Sequence, residues 1–126
     1  MIARRGAGFT LIEILVVMSI IALLLALAVP RYFQSVARAQ ESVLKENLTL
    51  IRDALDKHYA DTGKYPGTLT ELVAKRYLRK VPEDPITGSG VTWVIAPPDR
   101  PEKGGVFDVK SGAAGNSLSG VPYNQW

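Results

Sequence analysis

Hydrophobic and polar positions divide this chain into three regimes. From Phe9 to Val29 every residue is apolar or small except Glu13, with Thr10 and Ser19 as minor polar breaks. At an α-helical rise the run spans about 30 Å, the thickness of a bilayer's hydrocarbon core. A helix apolar on every side is not one that a small soluble domain buries, so the run predicts a membrane-crossing helix. After Pro30 the pattern changes: Val36, Val43, Leu44, Leu48, Ile51, Leu55 and Tyr59 recur at steps of three, four or seven, which gives one apolar stripe on a polar helix. The two patterns join into one helix from about Phe9 to Tyr59, apolar all round in its first half and amphipathic in its second. Glu41–Lys45 and Asp53–Lys57 supply acid-before-base pairs four apart along it. Pro30 donates no N–H and crowds the preceding turn, so a kink or local unwinding is expected near Ala26 to Pro30.

The third regime is short and broken. Asp61-Thr62-Gly63 ends the long helix, with Gly63 as its C′ residue. Thr68-Leu69-Thr70-Glu71 is a capping box that opens a short helix to about Tyr77, with Leu69, Leu72 and Val73 facing inward. The VPEDP stretch from Val81 and the Thr87-Gly88-Ser89-Gly90 turn follow. Val91 to Ile95 and Val106 to Val109 are the strand candidates, joined by a breaker-rich loop from Pro97 to Gly105. Ser111 to Trp126 has no period and reads as a loop-like tail whose Val121-Pro122-Tyr123 and Trp126 pack back on the sheet.

Glu13 is the chemical anomaly. An ionised carboxylate at the entrance of an apolar membrane segment costs several kcal/mol unless a partner meets it. The nearest cation available to it is a free amine at residue 9, generated by cleavage after Gly8. A secretory signal peptide fits poorly: its apolar region is shorter and its small residues follow that region, whereas Gly8 precedes it.

These residues carry a family resemblance. Gly8-Phe9-Thr10-Leu11-Ile12-Glu13, behind a short basic leader and ahead of the apolar run, resembles the class III signal of type IV pilins and type II secretion pseudopilins. The resemblance implies that a prepilin peptidase cuts after Gly8 and methylates Phe9. It further implies that Glu13 pairs with the N-terminal amine of a neighbouring subunit during assembly, and Pro30 falls where the family also has a proline. Lys64-Tyr65-Pro66, the VPEDP stretch and GVFDVKSGA from Gly105 are similar to the major pseudopilin of type II secretion. The fold so implied is α+β, of the type IV pilin kind. In it a long N-terminal α-helix, with a membrane half and an amphipathic half, packs against a small antiparallel β-sheet with one short extra helix. The domains expected are a cleaved leader at 1–8, a transmembrane and filament-core helix at 9–30, and a periplasmic globular domain at 31–126.

Composition changes this picture only at its edges. The chain of 126 residues has 15 basic and 12 acidic residues, and loss of the leader removes Arg4 and Arg5, so little net charge remains and nucleic acid is not an expected partner. Arg4 and Arg5 favour a cytoplasmic start for the apolar run, Arg31 and Arg38 weaken that asymmetry, and the orientation rests partly on the resemblance. Cysteine is absent, which excludes a disulfide scaffold. Many adhesive type IV pilins close a C-terminal loop with a disulfide, so the resemblance tilts toward a pseudopilin. That family's major member binds calcium through aspartates after a serine-glycine turn. Here Ser111 to Ser117 contains no carboxylate, so the calcium site is not carried over and no metal residue is assigned, while the sequence leaves open whether any ion occupies the tail; Asp108 is read as a structural hydrogen-bonder or surface charge. No cofactor and no catalytic residue are expected: His58 stands alone and, beside Lys57 and Tyr59 on the helix surface, reads as a solvated or lightly packed residue, and no metal-ligand spacing occurs.

The expected role is a structural subunit of a type II secretion pseudopilus in the bacterial inner membrane, single-pass, with its domain in the periplasm. Its implied partners are further copies of itself, minor pseudopilins, the prepilin peptidase and an inner-membrane assembly platform. Two other readings remain open from the residues. One is a type IV pilin of a surface filament; the other is a periplasmic enzyme or binding domain that uses the run only as a tether.

Overall fold

The computed structural model describes residues 8–126. Apart from Gly8, the leader assigned to 1–8 lies outside the described residues. Two compact units are present, the first ending at Val36 and the second comprising Ala37–Trp126.

Helix α1, Leu11–Thr62, is continuous for 52 residues and belongs to both units. It starts and ends later than its pattern alone predicts. Thr10 caps it, and Gly63, at φ +77, receives the chain in the left-handed region that favours glycine. The unwinding expected near Ala26 to Pro30 is absent: Pro30 lies inside an unbroken α-helical stretch. Its missing N–H removes one bond of a long ladder, and the bonds on either side keep the helix together.

In the first unit the apolar side chains of α1 are exposed along its length, Leu11 by 87% and Leu27 by 69%. Ser19 returns its hydroxyl to the Leu15 carbonyl at 2.8 Å, so this polar group stays satisfied within its own helix. Tyr32 and Phe33 meet edge-to-face and are also exposed.

The second unit is built around the later turns of α1. Leu44, Leu48, Ile51, Ala54, Leu55 and His58 are buried there, a stripe shifted from the predicted one. Val36, Val43 and Tyr59 lie on its margin, because adding Ala54 and His58 at steps of three and four turns the buried face away from them. Against that face pack Leu72, Trp93, Val106, Val109, Ala113 and Tyr123. Each fully buried leucine or isoleucine contributes about 1.5–3 kcal/mol relative to exposure. Helix α2, Leu69–Ala74, is shorter than predicted and buries Leu72. Thr68 accepts from the Glu71 N–H as a capping box requires, but the Glu71 carboxylate reaches back to Gly67 N rather than to Thr68.

The sheet has two strands, β1 at Val94–Ala96 and β2 at Asp108–Lys110, paired antiparallel with Ile95 opposite Val109. Both are shorter than the sequence pattern suggests. Val91 to Trp93 leads in without pairing, and Trp93 is instead buried with its indole N–H on the Pro82 carbonyl at 2.8 Å. Pro101–Lys103 forms a 3-10 turn within the connecting loop. A second such turn, Tyr123–Gln125, lies against β2 and brings the tail back, as predicted.

Candidate functional site

The N-terminal residues singled out by the sequence lie together at the start of α1. Thr10 is the N-cap: its hydroxyl accepts from the Glu13 N–H at 3.1 Å, and Glu13 Oε2 accepts from the Thr10 N–H at 2.8 Å. This reciprocal pair is a capping box, and the T-x-x-E spacing that announces it at Thr10 is the same one read at Thr68, where only the Thr68 half of the box forms. Glu13 therefore has an intrachain partner, and it also sits in the first turn, where the helix dipole favours negative charge. One carboxylate oxygen is occupied in this way. Phe9, Ile12, Val16 and Val17 surround the group with an apolar surface groove, and Phe9 is 78% exposed.

Gly8 precedes this cap in a bend. A Cβ placed on it would meet nothing within 4 Å. The fold thus sets no steric demand for glycine here. Phe9 is joined to Gly8 by a peptide bond, so its nitrogen becomes an amine only when that bond is hydrolysed.

The lone histidine is not where its neighbours suggested. His58 is buried, because it falls four residues after Ala54 and seven after Ile51 on the core stripe. Its Nδ1 lies 2.6 Å from the Lys64 carbonyl, which can only accept, so Nδ1 carries the proton. Its Nε2 faces Lys75 Nζ at 3.5 Å, and Tyr77 packs edge-on against the ring. Both ring nitrogens serve in joining α1 to the loop after it and to α2.

The tail and the VPEDP stretch contain interactions that sequence reading missed. Asp84 is fully buried: Oδ1 accepts from the Ile86 N–H at 2.8 Å, and Oδ2 accepts the hydroxyl of buried Ser111. Glu41 does not pair with Lys45. Its Oε1 accepts from the Leu118 N–H at 2.7 Å and from the Tyr123 hydroxyl at 3.0 Å, while Lys45 Nζ lies 5.2 Å from the Trp126 ring centre. Burial first, and then the bond to Glu41, pushes the Tyr123 phenol above its ordinary range near 10.0. Asp53 and Lys57 form no ion pair either; the surface gain of such pairs is small against side-chain entropy. Asp108 pairs with Arg52 at 2.8 Å, and Arg52 also donates to the carbonyls of Val109 and Trp126.

A calcium site does not fit these residues. Calcium takes six to eight oxygens, usually with several carboxylates. Ser111 is committed to Asp84, Ser117 shares a hydrogen bond with Ser119, and the carboxylate of Asp108 is held by Arg52. Among the described residues no three His, Cys, Asp or Glu side chains cluster.

One helix of the described chain is long and apolar enough to cross a membrane, and it is α1. A capped acidic first turn, that apolar helix and a small antiparallel sheet packed on its later turns define a protein of the type IV pilin class. The family profile described as "Prokaryotic N-terminal methylation motif" matches residues 3–29. The chain is 38% identical over 98 residues to type II secretion system core protein G of Pseudomonas aeruginosa, covering 65% of this chain and 69% of that protein. It is 31% identical over 120 residues to the protein of the same name from Dickeya chrysanthemi, covering 82% and 76%. It also resembles type IV major pilin protein PilA of Myxococcus xanthus, at 34% over 68 residues, 54% of this chain and 31% of that one. No solved structure matches the chain. With such coverage of its relatives, the chain belongs to the family of type II secretion system core protein G.

Proposed function

We propose that this protein is the repeating subunit of a type II secretion pseudopilus. In this reading the prepilin peptidase cuts between Gly8 and Phe9 and methylates the new amine, and the mature chain waits in the inner membrane with its domain in the periplasm. Subunits then polymerise through α1 on an assembly platform, with minor pseudopilins as further partners, and the growing filament drives folded proteins across the outer membrane.

The observation that carries the reading is the placement of Glu13 one turn from Phe9 on a helix whose apolar surface is exposed. A carboxylate inside lipid is unfavourable by a few kcal/mol. Its free oxygen is available to the ammonium of a neighbour's Phe9, and each copy repeats the same step. Head-to-tail contacts of that kind do not close and generate a helical filament. An unpaired charge is penalised in this setting, so the pair acts mainly on register. Gly8 fits the processing step: the fold leaves its Cβ position open, so packing gives no reason for a glycine there and recognition by the peptidase does.

The test is the mass of the N-terminal peptide from native membranes together with filament formation by a Glu13→Ala variant. A mature chain beginning at methylated Phe9 and loss of filaments in the variant support the proposal. A start elsewhere, or normal filaments, overturns it. The similarity to a type IV major pilin favours, as a second reading, a fibre on the cell surface. Fibres reaching beyond the outer membrane at native expression would select that reading.

A further inference from the structure

The last sixteen residues have little regular structure of their own, yet Ser111, Ala113, Ser117 and Tyr123 are buried. With no cysteine in the chain, the segment must be held by non-covalent links. Those links converge on one face of α1. Glu41 Oε1 accepts both from the backbone of Leu118 and from the hydroxyl of Tyr123, residues five apart on the tail. About three turns further along, Arg52 donates to the Trp126 carbonyl at 3.0 Å, and between them Lys45 covers the Trp126 ring. At the tail's other end Ser111 is tied to buried Asp84.

We propose that Glu41 is the fastener of the C-terminal segment and that this clasp makes the folding of the domain independent of calcium. An anion fixed on a helix gathers donors from a loop, whereas a bound cation would gather acceptors. The tail presents donors to Glu41, namely an N–H and a phenol. Its stretch from Ser111 to Ser117 carries no carboxylate and that of Asp108 is held by Arg52, so the charged acceptor set that a calcium ion favours is not assembled. The inference rests on contacts within the second unit and not on the proposed role in secretion.

The test uses the full chain in detergent micelles, with unfolding followed by near-ultraviolet circular dichroism and with limited proteolysis of the tail. Wild type is expected to melt at the same temperature in about 1 mM calcium and in excess EGTA, a concentration that fills typical extracellular sites. Glu41→Ala is expected to lower the midpoint by about 4–8 °C, the shift expected from one lost anchoring interaction in a domain of this size, and to open the tail to cleavage. Glu41→Gln keeps an oxygen acceptor and recovers most of that loss. Should Glu41→Ala fail to fold, Tyr123→Phe removes a single hydroxyl and is expected to speed tail cleavage. A calcium-dependent rise of about 5 °C or more in wild type, reversed by EGTA, overturns the proposal. So does an unchanged midpoint with an uncut tail in Glu41→Ala, or, in its place, an unchanged cleavage rate in Tyr123→Phe. The mass of the N-terminal peptide is read on the same samples, which separates failure of the clasp from failure of the processing reading.

Discussion

Glu13 reaches back to the backbone of Thr10 at 2.8 Å, so the acid on which assembly is proposed to turn is also the first-turn cap of its own helix. The two roles use different oxygens and can be separated by substitution. Glu13→Gln retains a cap acceptor and removes the charge. It is expected to be inserted and cut after Gly8 as wild type is, yet to form no filaments. Electron microscopy of sheared or purified material, alongside the N-terminal mass, checks both halves of that expectation.

Replacing Gly8 probes recognition without touching packing. Because a Cβ there meets nothing within 4 Å, Gly8→Asp should leave the fold unaltered and the leader uncut. Mass spectrometry of membranes expressing the variant should find the full-length precursor alone. Normal cleavage would defeat the assignment of the cut site.

His58 is expected to matter for stability and not for any chemistry. His58→Ala removes the bond to the Lys64 carbonyl and the edge-on packing of Tyr77, and leaves a small cavity at a buried position. The combined cost is about 2–4 kcal/mol. Urea unfolding of the variant, with circular dichroism as the readout, measures it.

Arg52 links three groups that are distant in sequence: the Asp108 carboxylate and the carbonyls of Val109 and Trp126. Arg52→Ala should cost about 1–2 kcal/mol, more than a surface ion pair, because two carbonyls also lose their donor. Arg52→Lys should recover little, since a single ammonium lacks the planar fork that spans such a set. A pair of urea titrations decides between these outcomes.

Acid should loosen the start of α2. The hydrogen bond from Gly67, then that from Lys75, holds the Glu71 carboxyl below its ordinary value near 4.5. A folded value below the unfolded one means the contribution is complete above the unfolded value and fades as pH falls through the folded one. Stability should therefore be level down to about pH 5 and then decline, with Glu71→Gln removing part of that acid slope. Unfolding midpoints across pH 3–7, on wild type and variant, provide the check.

The long helix was legible because its two halves each keep a strict pattern, unbroken apolarity before Pro30 and a stripe after it. Thr68 and Gly63 likewise declared their caps through local chemistry. The strands were less so: Val91 and Trp93 look like strand residues, but Trp93 is drawn into the core by its bond to Pro82, and pairing begins only at Val94. His58 was misread because its charged and aromatic neighbours Lys57 and Tyr59 suggested surface, whereas its spacing from Ile51 and Ala54 already placed it inside. The Glu41 clasp joins residues 77 and 82 positions apart and leaves no local trace. Asp84 lies in the breaker-rich VPEDP stretch, which marks a turn; its burial against Ser111 follows only from the closed fold.

The two tryptophans are set in unlike surroundings, one sealed in the interior with its indole N–H spent on Pro82, the other half-covered beneath the ammonium of Lys45. Phenylalanine in place of Trp93 would therefore leave a chain whose tryptophan emission arises from Trp126 alone. Such a protein carries a built-in lamp on its final turn, dimmed or shifted whenever that turn lifts away.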